Sequence, residues 1–239
     1  MLSIILPSYK GYSFLKKHLP EFINYASKKN ISYEIIIVDD GSEDNGETEK
    51  IAKEYGCVFL QNKKNRGKGA AVRKGMLHAK GEYRIFTDAD IPFELDAFDR
   101  FLYYLEFKEF DIVIGDRTID GAVYFSEISR IRKISSVFFS FLVGRFITTG
   151  MFDTQCGIKG FKAKVAEDLF SVSKINGFAF DVELLYVALK RNYDIKRLPV
   201  RLRCNESSSI NVISDGMRML VDLFSIKWNH LRGKYNRKI

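Results

Sequence analysis

Residues 83–90 read YRIFTDAD: a short apolar run that breaks into Asp88 and Asp90, one residue apart. Carboxylates at that spacing repel each other unless something positive sits between them, and a divalent cation with its preference for oxygen ligands meets that need. The pair also has a plain structural reading, in which one acid caps a following helix and the other favours its dipole. Three more apolar runs end in chemistry. Pro7-Ser8-Tyr9 follows SIIL, Asp39-Asp40-Gly41-Ser42 follows EIIIV, and Gly115-Asp116-Arg117 follows DIVI. A fifth stretch, Asn65 to Arg73 (NRGKGAAVR), combines glycines that let backbone approach a phosphate with the charges of Lys68 and Arg73 at a helix start. It also reads as an ordinary basic loop entering a helix.

These residues need elements to bring them together. The first half alternates apolar runs (Ser3–Pro7, Tyr33–Val38, Cys57–Leu60, Glu82–Thr87, Asp111–Ile114) with helical patterns (Tyr12–Lys29, Glu47–Tyr55, Gly69–Ala79, Leu95–Phe107). A run such as IIIV is apolar on both faces, which marks a parallel strand covered by helices above and below. The expected fold class is therefore α/β, a mainly parallel sheet with helices on both faces. Parallel strands joined by crossovers gather their loops at the carboxyl edge, where ligands bind. One acidic strand end is a cap, but several on one edge make a site. The second half predicts an amphipathic segment over Ile128–Ile147, a turn into a strand over Asp153–Phe161, a helix over Phe180–Lys190, a basic strand over Asp194–Arg203 and an amphipathic helix over Asn211–Leu231. No repeat or linker divides the chain, so residues 1–239 are expected to form one domain.

Composition narrows the function. With 46% hydrophobic and 28% charged residues, the 239-residue chain has the make-up of a folded globular protein. No apolar run approaches the roughly 20 residues of a membrane-spanning helix, and the start, MLSIILPSYK, lacks a basic region and cleavage site, so a cytoplasmic location is expected. Cys57, Cys156 and Cys204 are odd in number and scattered, as are the three histidines, which argues against disulfides and zinc. The net charge of +8 is uneven: from Ile128 onward, 20 Lys and Arg face 9 Asp and Glu, giving +11 and leaving −3 for the first 127 residues. Such a basic half suits an anionic surface. A nucleic-acid module would explain the basic half but leaves the acidic strand ends without a use, so no nucleic-acid partner is expected. PSYKGYSFL after the first strand lacks the dinucleotide fingerprint, and Gly67-Lys68-Gly69 lacks the rest of a Walker loop.

PSY, VDDGS, NRGKGAAVRKG and TDADI, followed by GDRT, DTQCGIKGF and GFAFDVELL, resemble the inverting family 2 glycosyltransferases of the GT-A fold. The later strings look most like dolichyl-phosphate glucosyltransferases and the related polyprenyl-phosphate mannose synthases. The likeness runs from about Ser3 to Leu231. It implies a nucleotide-sugar half (1–120) in which Pro7, Tyr9 and Asp39 line the base and ribose pocket. Asp88 and Asp90 would hold Mg²⁺ or Mn²⁺ against the diphosphate, with Lys68 and Arg73 among the donor-binding residues. It implies an acceptor-binding and membrane-surface half (121–239) in which Arg132, together with Arg117 from the end of the first half, grips a lipid phosphate, while Asp153, Gln155, Asp181 and Glu183 shape the acceptor and donor-sugar side. A polyprenyl phosphate arrives ionised and needs cations; a sugar hydroxyl needs a general base, for which Asp181 or Asp153 is the candidate. The favoured reaction moves glucose from UDP-glucose to polyprenyl or dolichyl phosphate. The alternative uses GDP-mannose or a glycan hydroxyl. Lys10-Gly11 and Pro92 depart from residues found in parts of the family, and the QxxRW string of processive synthases is missing. With Trp228 and five basic residues over Lys227–Lys238, the Asn211–Leu231 helix suggests peripheral attachment to the cytoplasmic face of a membrane.

Overall fold

The computed structural model describes residues 1–29, 31–123, 143–145, 147–148, 150–151, 153–203 and 212–236. Arg132, Cys204, Arg237, Lys238 and most of the Ile128–Ile147 segment lie outside them. In chain order the elements are β1 (Leu2–Ser8), α1 (Tyr12–Ser27), β2 (Tyr33–Asp39), α2 (Glu47–Glu54), β3 (Val58–Gln61), α3 (Lys68–His78), β4 (Tyr83–Phe86), α4 (Asp96–Glu106) and β5 (Ile112–Asp116). They continue with β6 (Lys159–Lys162), α5 (Ala163–Val172), α6 (Phe180–Lys190), β7 (Ile195–Pro199) and α7 (Val212–Leu231).

One seven-stranded sheet runs in the order β3-β2-β1-β4-β6-β5-β7. β1 pairs in parallel with β2 and β4, β2 with β3, and β5 with β7. β6 is the exception, antiparallel to both β4 and β5. The expectation of a mainly parallel sheet holds, and strands from both halves of the sequence share it. α5 was not foreseen, and the basic strand is shorter than expected, with Arg201 and Leu202 in isolated bridges beyond Pro199.

Strand alternation sorts the core into two layers. Ile4, Leu6, Ile35 and Ile37 face Leu15, Leu19 and Phe22 of α1 and Phe98 and Phe101 of α4. Ile5, Ile36, Val38 and Phe86 face Ala71 and Met76 of α3, Leu169 and Phe170 of α5 and Leu184 of α6. After β1 the chain turns to β2 on one side, and β4 lies on the other side of β1. The crevice at the carboxyl ends of β1 and β4 is thus where connections diverge and ligands bind in such sheets.

Candidate active site

A cavity of about 970 Å³ opens at that crevice, lined by Pro7, Tyr9, Asp40, Lys68, Asp88 and Asp90 among others. Its far wall is the 174–178 loop together with Met217, Arg218, Val221 and Asp222 of α7.

Asp88 and Asp90 are not helix caps. α4 begins at Asp96 behind Leu95, with its own first-turn acids Asp96 and Asp99. Instead the two acids sit in a tight turn closed by the Ile91 N–H donating to the Asp88 carbonyl at 2.9 Å. Ile91 takes a positive φ of 41°, a costly state for a β-branched residue. It is fully buried, and its carbonyl accepts from Arg203 Nη2 at 3.0 Å, so the surroundings impose the turn. Behind Asp88 lies Gly157, where a Cβ would collide with the carboxylate. The QCGIKG stretch therefore supplies a cradle for Asp88 that only glycine leaves open.

Asp39 and Asp40 divide the work at the end of β2. Asp39 is fully buried and accepts from the Ser42 N–H at 3.1 and 3.2 Å and from Gln61 Nε2 at 3.1 Å. It is not among the residues that line the cavity. Asp40 does, while accepting from Asn62 Nδ2 (2.8 Å), the Arg66 N–H (3.1 Å) and the Gly67 N–H (2.7 Å). It ties the NRGKG loop to the sheet. Gly67, at φ 99°, lies against the Asn176 carbonyl, so the glycine permits contact with the 174–178 loop as well as opening the cavity wall. Arg73 is likewise turned to that loop, donating to the Ser173 carbonyl at 2.9 Å and to Asn176 Oδ1. Gln155 stands one step back, with Nε2 3.3 Å from the Phe178 carbonyl.

Beneath the cavity runs a ladder of opposite charges. Lys68, the first residue of α3, is ion-paired with Asp88. Burial alone would lower the Lys68 pKa, but Asp88, Asp181 and Asp90 outweigh it and hold the ammonium above its ordinary value. Asp181, in the first turn of α6, pairs at 2.7 Å with Lys159, a fully buried lysine of β6. Burial pushes the Asp181 carboxyl up against the opposing pull of Lys159 and Lys68. Lys159 also donates to the Cys156 carbonyl at 2.7 Å and lies 5.5 Å from the centre of the Phe86 ring. Sequence reasoning named Asp40 at a strand end without giving it a role, and missed Lys159. A lysine inside the apolar string GIKGF was the one signal for it.

Arg117 and Asp153 form a separate unit. The Arg117 N–H, Nε and Nη2 donate to the two Asp153 oxygens at 2.6, 2.9 and 2.6 Å. Burial alone would raise the Asp153 carboxyl, but these contacts hold it below the usual range. Glu183 is fully buried and accepts from the Lys174 and Ile175 N–H groups at 2.9 Å and from the Tyr235 hydroxyl at 2.7 Å. It fastens the 174–178 loop to the turn after α7.

The donor set fits a hard cation. Asp88 and Asp90 present carboxylate oxygens at the cavity wall, and the Gly157 cradle leaves Asp88 room. Among the described residues no group of three or more His, Cys, Asp or Glu could hold a metal, so a cation here would draw further ligands from its substrate and from water.

Sheet order, antiparallel β6 and crevice are those of the GT-A fold, and the chain is a glycosyltransferase. A family model described as glycosyl transferase family 2 matches residues 3–170, and the chain belongs to that family. The dolichyl-phosphate beta-glucosyltransferase of Dictyostelium discoideum is 34% identical across 99% of this chain and 77% of its own length. That of Drosophila melanogaster is 34% identical across 98% and 76%. In fold, the chain matches mannosyl-3-phosphoglycerate synthase from Rubrobacter xylanophilus with a TM-score of 0.73 at 19% identity, covering 100% of this chain and 76% of that one. Glucosyl-3-phosphoglycerate synthase from Mycobacterium tuberculosis, solved with Mn²⁺, UDP and glucosyl-3-phosphoglycerate, matches at 0.70 and 16% identity, covering 95% and 79%.

Proposed function

We propose that this enzyme transfers glucose from UDP-glucose to a polyprenyl phosphate with inversion, at the cytoplasmic face of a membrane. The observation that carries the reading is the two-sided cavity. Its sheet side offers Asp88, Asp90 and Lys68 to a nucleotide diphosphate, and its other side is α7. The named activity of relatives at 34% identity over nearly the whole chain supports a glucosyl group and a lipid-phosphate acceptor. A Mg²⁺ or Mn²⁺ ion on Asp88 and Asp90 would neutralise charge growing on the departing diphosphate. Pro7 and Tyr9 wall the nucleoside end, and Lys68 adds a cation at the helix start.

In the reaction, a phosphate oxygen of the lipid forms the bond to the anomeric carbon as the bond to the nucleoside diphosphate breaks. The electron pair leaves with the diphosphate, and no proton has to be removed. Of the two carboxylates considered as bases, Asp153 is bound by Arg117, which lowers its affinity for a proton, and Asp181 is paired with the buried Lys159.

Membrane attachment is supported by α7. Its buried side is formed by Leu223, Ile226 and Asn229, whereas Met217, Val221, Phe224, Trp228 and Leu231 make an outward stripe, each 55–78% exposed. Met217 and Val221 also line the cavity, so the stripe leads to its mouth. Lys227, Arg232 and Lys234 border its far end, the Arg232 guanidinium 4.7 Å from the Trp228 ring centre. Apolar side chains flanked by cations suit an anionic lipid surface. Among the described residues, no helix is long and apolar enough to cross a membrane. Arg132, proposed with Arg117 to hold the lipid phosphate, lies outside the described residues.

A nucleotide-release assay with UDP-glucose, GDP-mannose and other donors, each with and without polyprenyl phosphate, tests the proposal. Release from UDP-glucose that rises with the lipid and stops in excess chelator is the expected result. Preferential use of GDP-mannose, or indifference to the lipid, would overturn the corresponding part.

A further inference from the structure

Lys68 is bound to the very carboxylate that the proposed reaction assigns to a divalent cation. Its ammonium is ion-paired with Asp88 Oδ1, and Gly157 lies against Asp88 Oδ2. A cation reaching Asp88 therefore meets an oxygen that already has a counter-charge. We propose that Lys68 is a place-holding cation: with the cavity empty it neutralises Asp88, and on arrival of metal and nucleotide it gives up that carboxylate and turns to the diphosphate. This inference rests on the metal-dependent reading above.

Three observations carry it. The Lys68 and Asp88 side chains are 22% and 35% exposed, so water reaches the pair and exchange does not require opening the core. The neighbouring carboxylate of Asp181 already has its own counter-ion in Lys159, 2.7 Å away in a pair only 0% and 5% exposed. Lys68 is also the first residue of α3 and lines the cavity, so its charge and the positive end of the helix lie at the same wall.

Charge balance gives the direction. Asp88, Asp90 and Asp181 against Lys68 and Lys159 leave this cluster with one formal negative charge. A divalent cation alone would reverse the sign beside a lysine that it also displaces. A cation with a nucleoside diphosphate restores the balance and gives the lysine a new partner. Metal and nucleotide should therefore bind with positive coupling, and Lys68 should carry part of it.

The test is Mn²⁺ binding followed by electron paramagnetic resonance, with and without UDP, for the wild type, Lys68→Met, Lys68→Gln and Lys68→Arg, each checked for its fold by circular dichroism. In the absence of nucleotide, the Met and Gln variants should bind Mn²⁺ about tenfold more tightly than the wild type, and UDP should tighten Mn²⁺ less in them. Lys68→Arg, which keeps the charge, should stay near the wild type. If the neutral variants bind Mn²⁺ alone no more tightly than the wild type, while UDP tightens all alike, Lys68 is not a place-holder and the metal reading stands. If the wild type binds no Mn²⁺ even with UDP, the metal reading falls and this inference with it.

Discussion

Two lysine–aspartate pairs lie next to each other beneath the cavity, and they have opposite characters. Lys159–Asp181 is sealed between β6 and the start of α6 at 2.7 Å, with the lysine also held by the Cys156 carbonyl. Lys68–Asp88 stands at the cavity wall with both side chains partly wet. The same two functional groups thus serve different ends according to burial. A sealed pair cannot lose one partner without stranding a charge, whereas a wet pair can exchange its partner for a ligand. Arg117–Asp153 lies between the extremes, with a buried carboxylate and a guanidinium about one-third exposed.

The largest effect expected from breaking this contrast is on stability. Lys159→Met leaves Asp181 buried without its counter-ion and should cost about 3–5 kcal/mol, against about 0–1 kcal/mol for Lys68→Met. Urea denaturation of both variants measures the difference. Equal losses would show that burial does not separate the pairs. Adding Asp181→Leu to Lys159→Met should recover much of the loss, because no charge is then stranded.

Activity should divide the other way. On the proposed metal role, Asp90→Asn should fold normally and lose roughly 10² or more in rate, because one oxygen ligand and one charge opposing the leaving diphosphate would be removed. Full activity of the wild type in excess chelator would remove that role from Asp90.

The smallest effect concerns the intermediate pair and pH. Folding lowers the Asp153 pKa, so its contribution is complete above the unfolded value of about 3.9 and is lost as pH falls through the lower folded value. Asp153→Asn should therefore be less stable than the wild type at neutral pH, with the gap narrowing below about pH 4. A constant gap down to pH 2 would mean that the carboxylate's ionisation contributes nothing.

Much of this was legible in the sequence. Runs apolar on both faces marked the parallel core, and the loops after β1, β2 and β4 meet at one cavity lined by Pro7, Tyr9, Asp40, Lys68, Asp88 and Asp90, whereas Asp116 at the end of β5 pairs with Arg197. Residue type could not separate Asp39 from Asp40. Strand alternation could have, because Asp40 continues the Ile36–Val38 series that faces α3, and α3 begins within the NRGKG stretch. The antiparallel β6 was not legible, since four residues carry no direction. Nor was the coupling of Lys159 to Asp181, which are 22 positions apart and meet only once β6 lies beneath α6. Arg73 and Glu183 look like site residues by type, yet their hydrogen bonds hold the 173–178 loop in place.

The central claim is that the acceptor is a lipid phosphate, and the most direct measurement compares polyprenyl phosphate with the corresponding polyprenol. With UDP-glucose labelled in the sugar and Mn²⁺ present, label should pass into the organic phase with polyprenyl phosphate, remain in the aqueous phase with polyprenol, and remain there in both when a chelator is added. Equal transfer to the alcohol, or label recovered only in a water-soluble glycan, would contradict the account.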